Sequence, residues 1–287
     1  MKKTVQHCVT FFGLGLLVVS LQGCQASFGL MNNKKSNTQA AQNTRSDGAF
    51  KPDKKKSAEI RVQIAAEYLR TGDVDAAKRA LDEVFKETTR NARANMLMAV
   101  LLQQEGSPEN VAKADEYFKR AISLDPDDAQ TRNNYGRYLF QLGRYNDALS
   151  QLQVAGAKLG YDQRGLALEN LGLTYIKLGD VPNAEKTFRQ ALQVNRNSAV
   201  SMLELAEIFY LRQQFAQANE MYGNYARVVG DNNQDARGLW VGIRVARANG
   251  DNMSKQVLVN QLRALFPNSQ EYQRYLQLQY STEAVWK

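Results

Sequence analysis

The chain has 287 residues, 44% of them hydrophobic and 23% charged, with a formal charge of +8, which is length for one large or two ordinary domains. Two of those charges are Lys2 and Lys3, and many of the other lysines (Lys34, Lys35, Lys51, Lys54, Lys55, Lys56) crowd one stretch; a solvated tail explains that balance without nucleic acid. His7 is the only histidine, and Cys8 and Cys24 are the only cysteines, so a chain cleaved before Cys24 has no internal disulfide, no His/Cys metal site and no serine–histidine or cysteine–histidine catalysis.

Met1 to His7 is short and basic, and Cys8 to Leu21 is apolar apart from Thr10 and Ser20. A run of about 14 residues is too short to span a bilayer and fits the core of a signal peptide. Leu21-Gln22-Gly23-Cys24 then resembles a bacterial lipoprotein signal, with leucine three places before the cysteine and glycine just before it, although Gln22 departs from the small residue usual there. The resemblance implies removal of residues 1–23 and acylation of Cys24. Several acyl chains on one residue anchor firmly, at about 0.8 kcal/mol per buried methylene. Gln25 follows where an aspartate would hold such a protein at the inner membrane. By the same resemblance the expected location is the outer membrane, on its periplasmic face.

Residues 24–56 are rich in Asn, Gln, Ser, Thr and Lys and poor in bulky apolar residues. Such a stretch cannot bury enough surface to offset the entropy of ordering. It reads as a tether, whose random coil would reach roughly 30 Å.

From residue 57 onward a helix–turn–helix pattern recurs. A mostly small residue in the middle of each first helix is found at Ala65, Ala99, Gly136, Gly172, Ala206 and Ile243, in steps of 34, 37, 36, 34 and 37 residues. Seven residues later comes a turn position, Gly72, Gly106, Gly143, Gly179, Gln213 and Gly250. Second helices open their packed face with Ala77, Ala114, Ala148, Ala184 and Ala218, followed four residues on by Leu81, Phe118, Leu152, Phe188 and Tyr222. The sixth unit is the least regular, with Ile243 and Lys255 where small residues are expected. Ser107-Pro108-Glu109 reads as an extension of the second unit's inner turn, and residues 156–164 as a longer exit from the third. A last amphipathic helix over 269–285, capped by Ser269 and striped with Tyr272, Leu276 and Tyr280, is expected to cover the end of the stack.

This period and small–bulky order resemble the tetratricopeptide repeat. The fold expected is all-α: a right-handed solenoid of six tetratricopeptide-like helix pairs (about 58–91, 92–128, 129–164, 165–198, 199–235 and 236–268) with a capping helix, in one domain over 57–287. In such stacks the first helices form an inner wall that holds a peptide or partner helix. The wall residues outside the packing set are Val62, Ala66, Leu69, Met96, Val100, Gln103, Asn133, Arg137, Phe140, Leu173, Ile176 and Tyr210, with Glu207 and Trp240 further along. Any one of them serves equally as an ordinary contact between repeats. Chaperone-binding relatives clamp a carboxylate with a lysine early in the first helix. Here those places carry Val62, Met96, Asn133 and Glu169, so that use is not expected, while Asn134 and Asn170 are placed to hold a peptide backbone.

Glu67, Glu105, Asp147 and Asp180 invite a glycosidase reading, but lie at turns and exposed faces where caps and solvation account for them. No G-x-x-x-x-G-K phosphate loop occurs. No enzyme, cofactor, small-molecule substrate or nucleic-acid partner is expected.

From Leu21-Gln22-Gly23-Cys24, through Asn133-Asn134-Tyr135-Gly136 and Gly143-Arg144-Tyr145, to Phe266-Pro267-Asn268-Ser269-Gln270-Glu271-Tyr272, the chain resembles the type IV pilus biogenesis lipoproteins, the pilotins of the pilus secretin. The resemblance implies a lipid-anchored adaptor that binds the secretin subunit and promotes its outer-membrane localisation and multimer assembly, on which pilus extension and twitching depend. The alternatives are a scaffold lipoprotein of another envelope machine, in barrel assembly or cell-wall synthase activation, and a cell-wall hydrolase.

Overall fold

A computed structural model describes residues 53–282 and 286. The expected signal peptide, Cys24 and the tether up to residue 52 lie outside the described residues. Thirteen helices and no strand are present among the described residues. They fall into six antiparallel pairs: α1 (Lys54–Thr71) with α2 (Val74–Glu87), α3 (Ala92–Glu105) with α4 (Pro108–Leu124), α5 (Ala129–Gln141) with α6 (Tyr145–Ala157), α7 (Arg164–Lys177) with α8 (Val181–Val194), α9 (Ala199–Leu211) with α10 (Phe215–Val229), and α11 (Ala236–Ala248) with α12 (Asn252–Leu265). A single helix, α13 (Gln270–Leu278), follows. The architecture is the expected all-α solenoid.

Local chemistry explains the boundaries. Most helices start on a side-chain cap: Asp73 accepts from the Ala76 N–H at 2.9 Å, Asn91 from Ala94 at 2.9 Å, and Ser269 from Tyr272 at 3.1 Å. Each cap satisfies one of the donors a helix start leaves unpaired. The inner turns use the left-handed backbone. At Gly143 (φ 73°) the glycine N–H reaches Phe140 O at 3.0 Å and the Arg144 N–H reaches Leu139 O at 2.9 Å, closing α5. Five pairs place glycine there, whereas the fifth forces Gln213 to φ 62°, the one non-glycine residue with positive φ among the described residues. A side chain in that region is strained.

The small–bulky order has a steric reason. A methyl group on Gly136 would lie 2.5 Å from the Leu152 side chain, and one on Gly172 would lie 2.5 Å from the Phe188 ring. Leu152 and Phe188 are fully buried. The bulky residue of the second helix therefore seats on the bare backbone of the first, and the pair closes tightly. Two large apolar clusters result, beside a small one of Ala129, Ala155 and Ala167. One runs from Ala58 to Ala191, the other from Ala184 to Trp286, and they overlap at the fourth pair.

Four details differ from the sequence expectation. The first helix starts at Lys54, before residue 57, because Asp53 caps it by accepting from the Lys55 N–H at 3.0 Å. The residues at Ser107-Pro108-Glu109 do not extend the turn: Ser107 is an N-cap and Pro108 the first residue of α4, which is lengthened to 17 residues. Proline is at home there because the first helical N–H needs no partner. In the sixth pair Ile243 is fully buried at its register position, and the close approach is made instead by Gly238 and Gly242. These receive the rings of Tyr225 and Tyr222 from the preceding pair. Finally, α13 ends at Leu278 rather than near 285.

Candidate protein-binding wall

The first helices form one layer of the solenoid. α1 packs on α3, α3 on α5, α5 on α7, and α9 on α11, while α7 and α9 barely meet. Within each first helix three positions were expected to face the wall, three residues before and one and four residues after the central residue. The structure separates them.

The leading position is interior in five of the six pairs; Glu169 of the fourth is half-buried. Val62, Met96, Asn133 and Leu203 are 1–6% exposed, because this position points into the seam between neighbouring first helices, and Trp240 is 4% exposed under the ring of Trp286. Across these seams the Asn134 side-chain amide donates to Met96 Sδ at 3.3 Å, and that of Asn170 donates to Asn133 Oδ1 at 3.1 Å. Asn134 and Asn170 thus each commit an amide hydrogen to holding neighbours in register. Val62, Met96 and Asn133 belong to the scaffold rather than to its surface. Tyr210, at the trailing position, is also buried, with the Arg244 guanidinium 5.0 Å over its ring.

The accessible wall is what is left of the predicted set. Ala66, Leu69, Val100, Gln103, Phe140, Leu173 and Ile176 are half-buried, and Arg137 is exposed. Gln103 bonds across its seam to Gln141 at 2.5 Å. From α1 to α7 this makes a band in which Arg137 is the one charge of the set.

The wall changes character where α7 and α9 part. A cleft of about 560 Å³ lies there, lined by Ile176, Val181, Ile208 and Leu211 with Glu204, Glu207, Arg212 and Arg237. The charged side chains form a ladder. Arg237 donates to Glu204 and to Glu207, both at 2.6 Å, and Arg244 donates to the other oxygen of Glu207. Burial pushes both carboxyls up. At Glu207 the two guanidinium groups outweigh that and hold it below the ordinary carboxylate range. At Glu204 burial prevails over Arg237 and the carboxyl sits above it. Of the predicted wall residues Ile176 and Glu207 line the cleft. Leu211, one helical turn beyond Glu207, falls outside the wall register, and Arg237 precedes the central residue by six and matches no wall position.

The carboxylates that invited a glycosidase reading have local roles. Asp180 caps α8 through the Asn183 N–H at 3.2 Å, Asp147 pairs with Arg144, Glu67 with Arg70, and Glu105 accepts from Asn110 at 2.8 Å. Among the described residues no group of carboxylates, histidines and cysteines is placed to hold a metal, and no helix is long and apolar enough to cross a membrane.

Six stacked helix pairs around a wall of this kind define a tetratricopeptide-repeat protein, a class of protein-interaction scaffolds. Tetratricopeptide-repeat family models match residues 92–128, 117–150 and 167–198. The chain is 32% identical over 214 residues to the type IV pilus assembly protein PilF of Pseudomonas aeruginosa, spanning 75% of this chain and 82% of that protein. A solved structure of Pseudomonas aeruginosa PilF superposes with a TM-score of 0.72 at 30% identity, covering 78% of this chain and 98% of that one. The structure of PilW, described as a widely conserved type IV pilus biogenesis factor, gives 0.64 at 29% identity, covering 76% and 98%. The chain belongs to this family of tetratricopeptide-repeat proteins of type IV pilus biogenesis.

Proposed function

We propose that this chain is the lipid-anchored adaptor of the pilus secretin. Acylated Cys24 holds it to the periplasmic face of the outer membrane, the segment ahead of α1 gives it reach, and the wall from α1 to α7 captures a secretin segment. One molecule then carries both the membrane address and the cargo. Tethering raises the local concentration of the captured subunits, so a modest intrinsic affinity suffices for multimer assembly. The observation that carries this reading is the relationship to PilF over 214 residues, together with Leu21-Gln22-Gly23-Cys24. A band of half-buried Ala66, Leu69, Val100, Phe140 and Leu173, with Gln103 and Arg137 among them, supports the wall as the capturing surface, since apolar side chains on a rigid layer suit an amphipathic partner segment.

The test is a secretin multimer assay on outer-membrane fractions of cells lacking the protein, complemented with variants. Cys24→Ser is expected to give a folded protein away from the outer membrane, with secretin mislocalised. Normal outer-membrane multimers in that strain would remove the anchor from the mechanism. Leu69→Glu combined with Phe140→Glu is expected to abolish secretin capture at unchanged helicity, and an unchanged pull-down would remove the wall. Met96 is unsuitable for this purpose, because at 1% exposure a charge there tests folding.

A further inference from the structure

The sixth pair repeats the wall register of the third. Trp240, Arg244 and Arg247 stand three before and one and four after Ile243, as Asn133, Arg137 and Phe140 stand around Gly136. On the third pair Arg137 and Phe140 retain exposed surface. On the sixth, Trp286 lies on the leading and trailing positions, Trp240 and Arg247. The Trp286 ring stacks on Trp240 with centroids 5.4 Å apart and planes 17° apart. Tyr275 of α13 meets it edge-on at 6.1 Å, and the Arg247 guanidinium lies 4.3 Å over it. Arg247 also donates to the carbonyl of Ser281 at 2.5 Å, so one side chain grips the tail twice. Trp286 is 1% exposed, more deeply buried than any residue of α13, none of which is buried.

Two features distinguish this contact from ordinary core packing. The groups around the indole are those of a receptor for an aromatic side chain: a stacking face, an edge and a cation over the ring. And the fit is incomplete, since the Trp286 indole N–H is buried with no acceptor among the described residues. Tryptophan normally finds a partner for that group when buried, and a segment supplying an acceptor would bind better than the tail does.

We propose that Trp240, Tyr275 and Arg247 form an aromatic-binding site at the C-terminal end of the inner wall, that Trp286 occupies it in cis, and that a partner segment presenting an exposed tryptophan enters only by displacing the tail. The displacement step rests on the wall being the recognition surface; the cis occupancy does not. The tail thereby acts as a built-in competitor that confines capture to the α1–α7 band until a partner aromatic arrives.

Trp240 and Trp286 are the only two tryptophans in the chain, so their stacking is visible as an exciton couplet in circular dichroism. The full chain is expected to show the couplet and Trp286→Ala to lose it at unchanged helicity. A fluorescein-labelled peptide of residues 279–287 is expected to bind Trp286→Ala saturably, and to bind the wild type about tenfold more weakly because its site is already filled. The same peptide with alanine for tryptophan is expected not to bind. Absence of peptide binding to a folded Trp286→Ala chain, or equal binding by variant and wild type, overturns the proposal. Loss of helicity in Trp286→Ala would make the residue a folding element; Trp286→Phe then decides, and peptide binding no tighter than to wild type overturns it. Secretin multimers stay normal if only this proposal fails, whereas failure of the adaptor reading leaves peptide binding intact.

Discussion

The two halves of the inner wall use one repeat register for opposite ends. From α1 to α7 the position after the central residue carries Ala66, Val100, Arg137 and Leu173, each with accessible surface. In α9 and α11 the same position carries Glu207 and Arg244, paired with each other, and Glu207 is also held by Arg237. The trailing position runs from Leu69, Gln103, Phe140 and Ile176 to Tyr210 and Arg247, the former buried under Arg244 and the latter gripping the tail. Equivalent backbone positions thus build an open, mostly apolar band in one half and a charge-paired, self-covered wall in the other. A repeat defines where a side chain stands; its neighbours decide whether that place is available.

Removing one rung of the ladder breaks the comparison hardest. Glu207→Gln leaves Arg244, whose side chain is 5% exposed, without its carboxylate, and is expected to cost about 3 kcal/mol in denaturant unfolding. Arg137→Ala, at the matching register of the open half, is expected to stay within about 0.5 kcal/mol of wild type. Equal costs would remove the distinction between the halves.

The glycines sharpen it next. Gly172→Ala drives a methyl into Phe188, where the two large apolar clusters overlap, and is expected to lose about 1–2 kcal/mol. In α10, a methyl on Gly223 meets nothing within 4 Å, so Gly223→Ala is expected to gain about 0.5–1 kcal/mol from helix propensity alone. A gain at both sites would remove the packing role assigned to Gly172. At the strained inner turn of the fifth pair, Gln213→Gly is expected to raise stability by about 1 kcal/mol.

The smallest effect is one of pH. Glu207 is held below its unfolded value, so its contribution is fully present above the ordinary carboxylate pKa and is lost as pH falls through the lowered one. Glu204 is raised, so its ionisation costs stability as pH rises through the raised value. Glu204→Gln, which mimics the protonated group, is expected to be neutral or slightly stabilising at pH 7. Relative to that variant, wild type should do better in mild acid. Urea midpoints measured across the carboxylate range check both signs, and a destabilised Glu204→Gln at pH 7 would mean the ladder needs that charge.

Much of the scaffold was legible in the residues because repetition makes local signals add. Gly136 with Leu152, Gly172 with Phe188, the glycines of the inner turns and the cap at Ser269 all act within one helix pair. Sequence spacing reaches that distance. The wall was legible only as a register. Val62, Met96, Asn133 and Tyr210 satisfy the same spacing as Leu69 and Phe140, yet are buried, because burial depends on the next helix pair and on residues such as Asn170 and Arg244 some 34–37 positions away. The cleft at Leu211 arises because α7 and α9 part, which no single helix encodes.

By itself, then, the sequence determined the period, the turn positions and the small–bulky order, since these depend on φ preferences and steric fit between residues close in the chain. Only the tertiary structure decided which wall residues are open. It paired Glu207 with two arginines, let Gly238 and Gly242 take the rings of the preceding pair, and brought Trp286 back 46 positions onto Trp240. Accessibility and charge pairing are properties of what packs across a seam, and the seam exists only once the repeats are stacked.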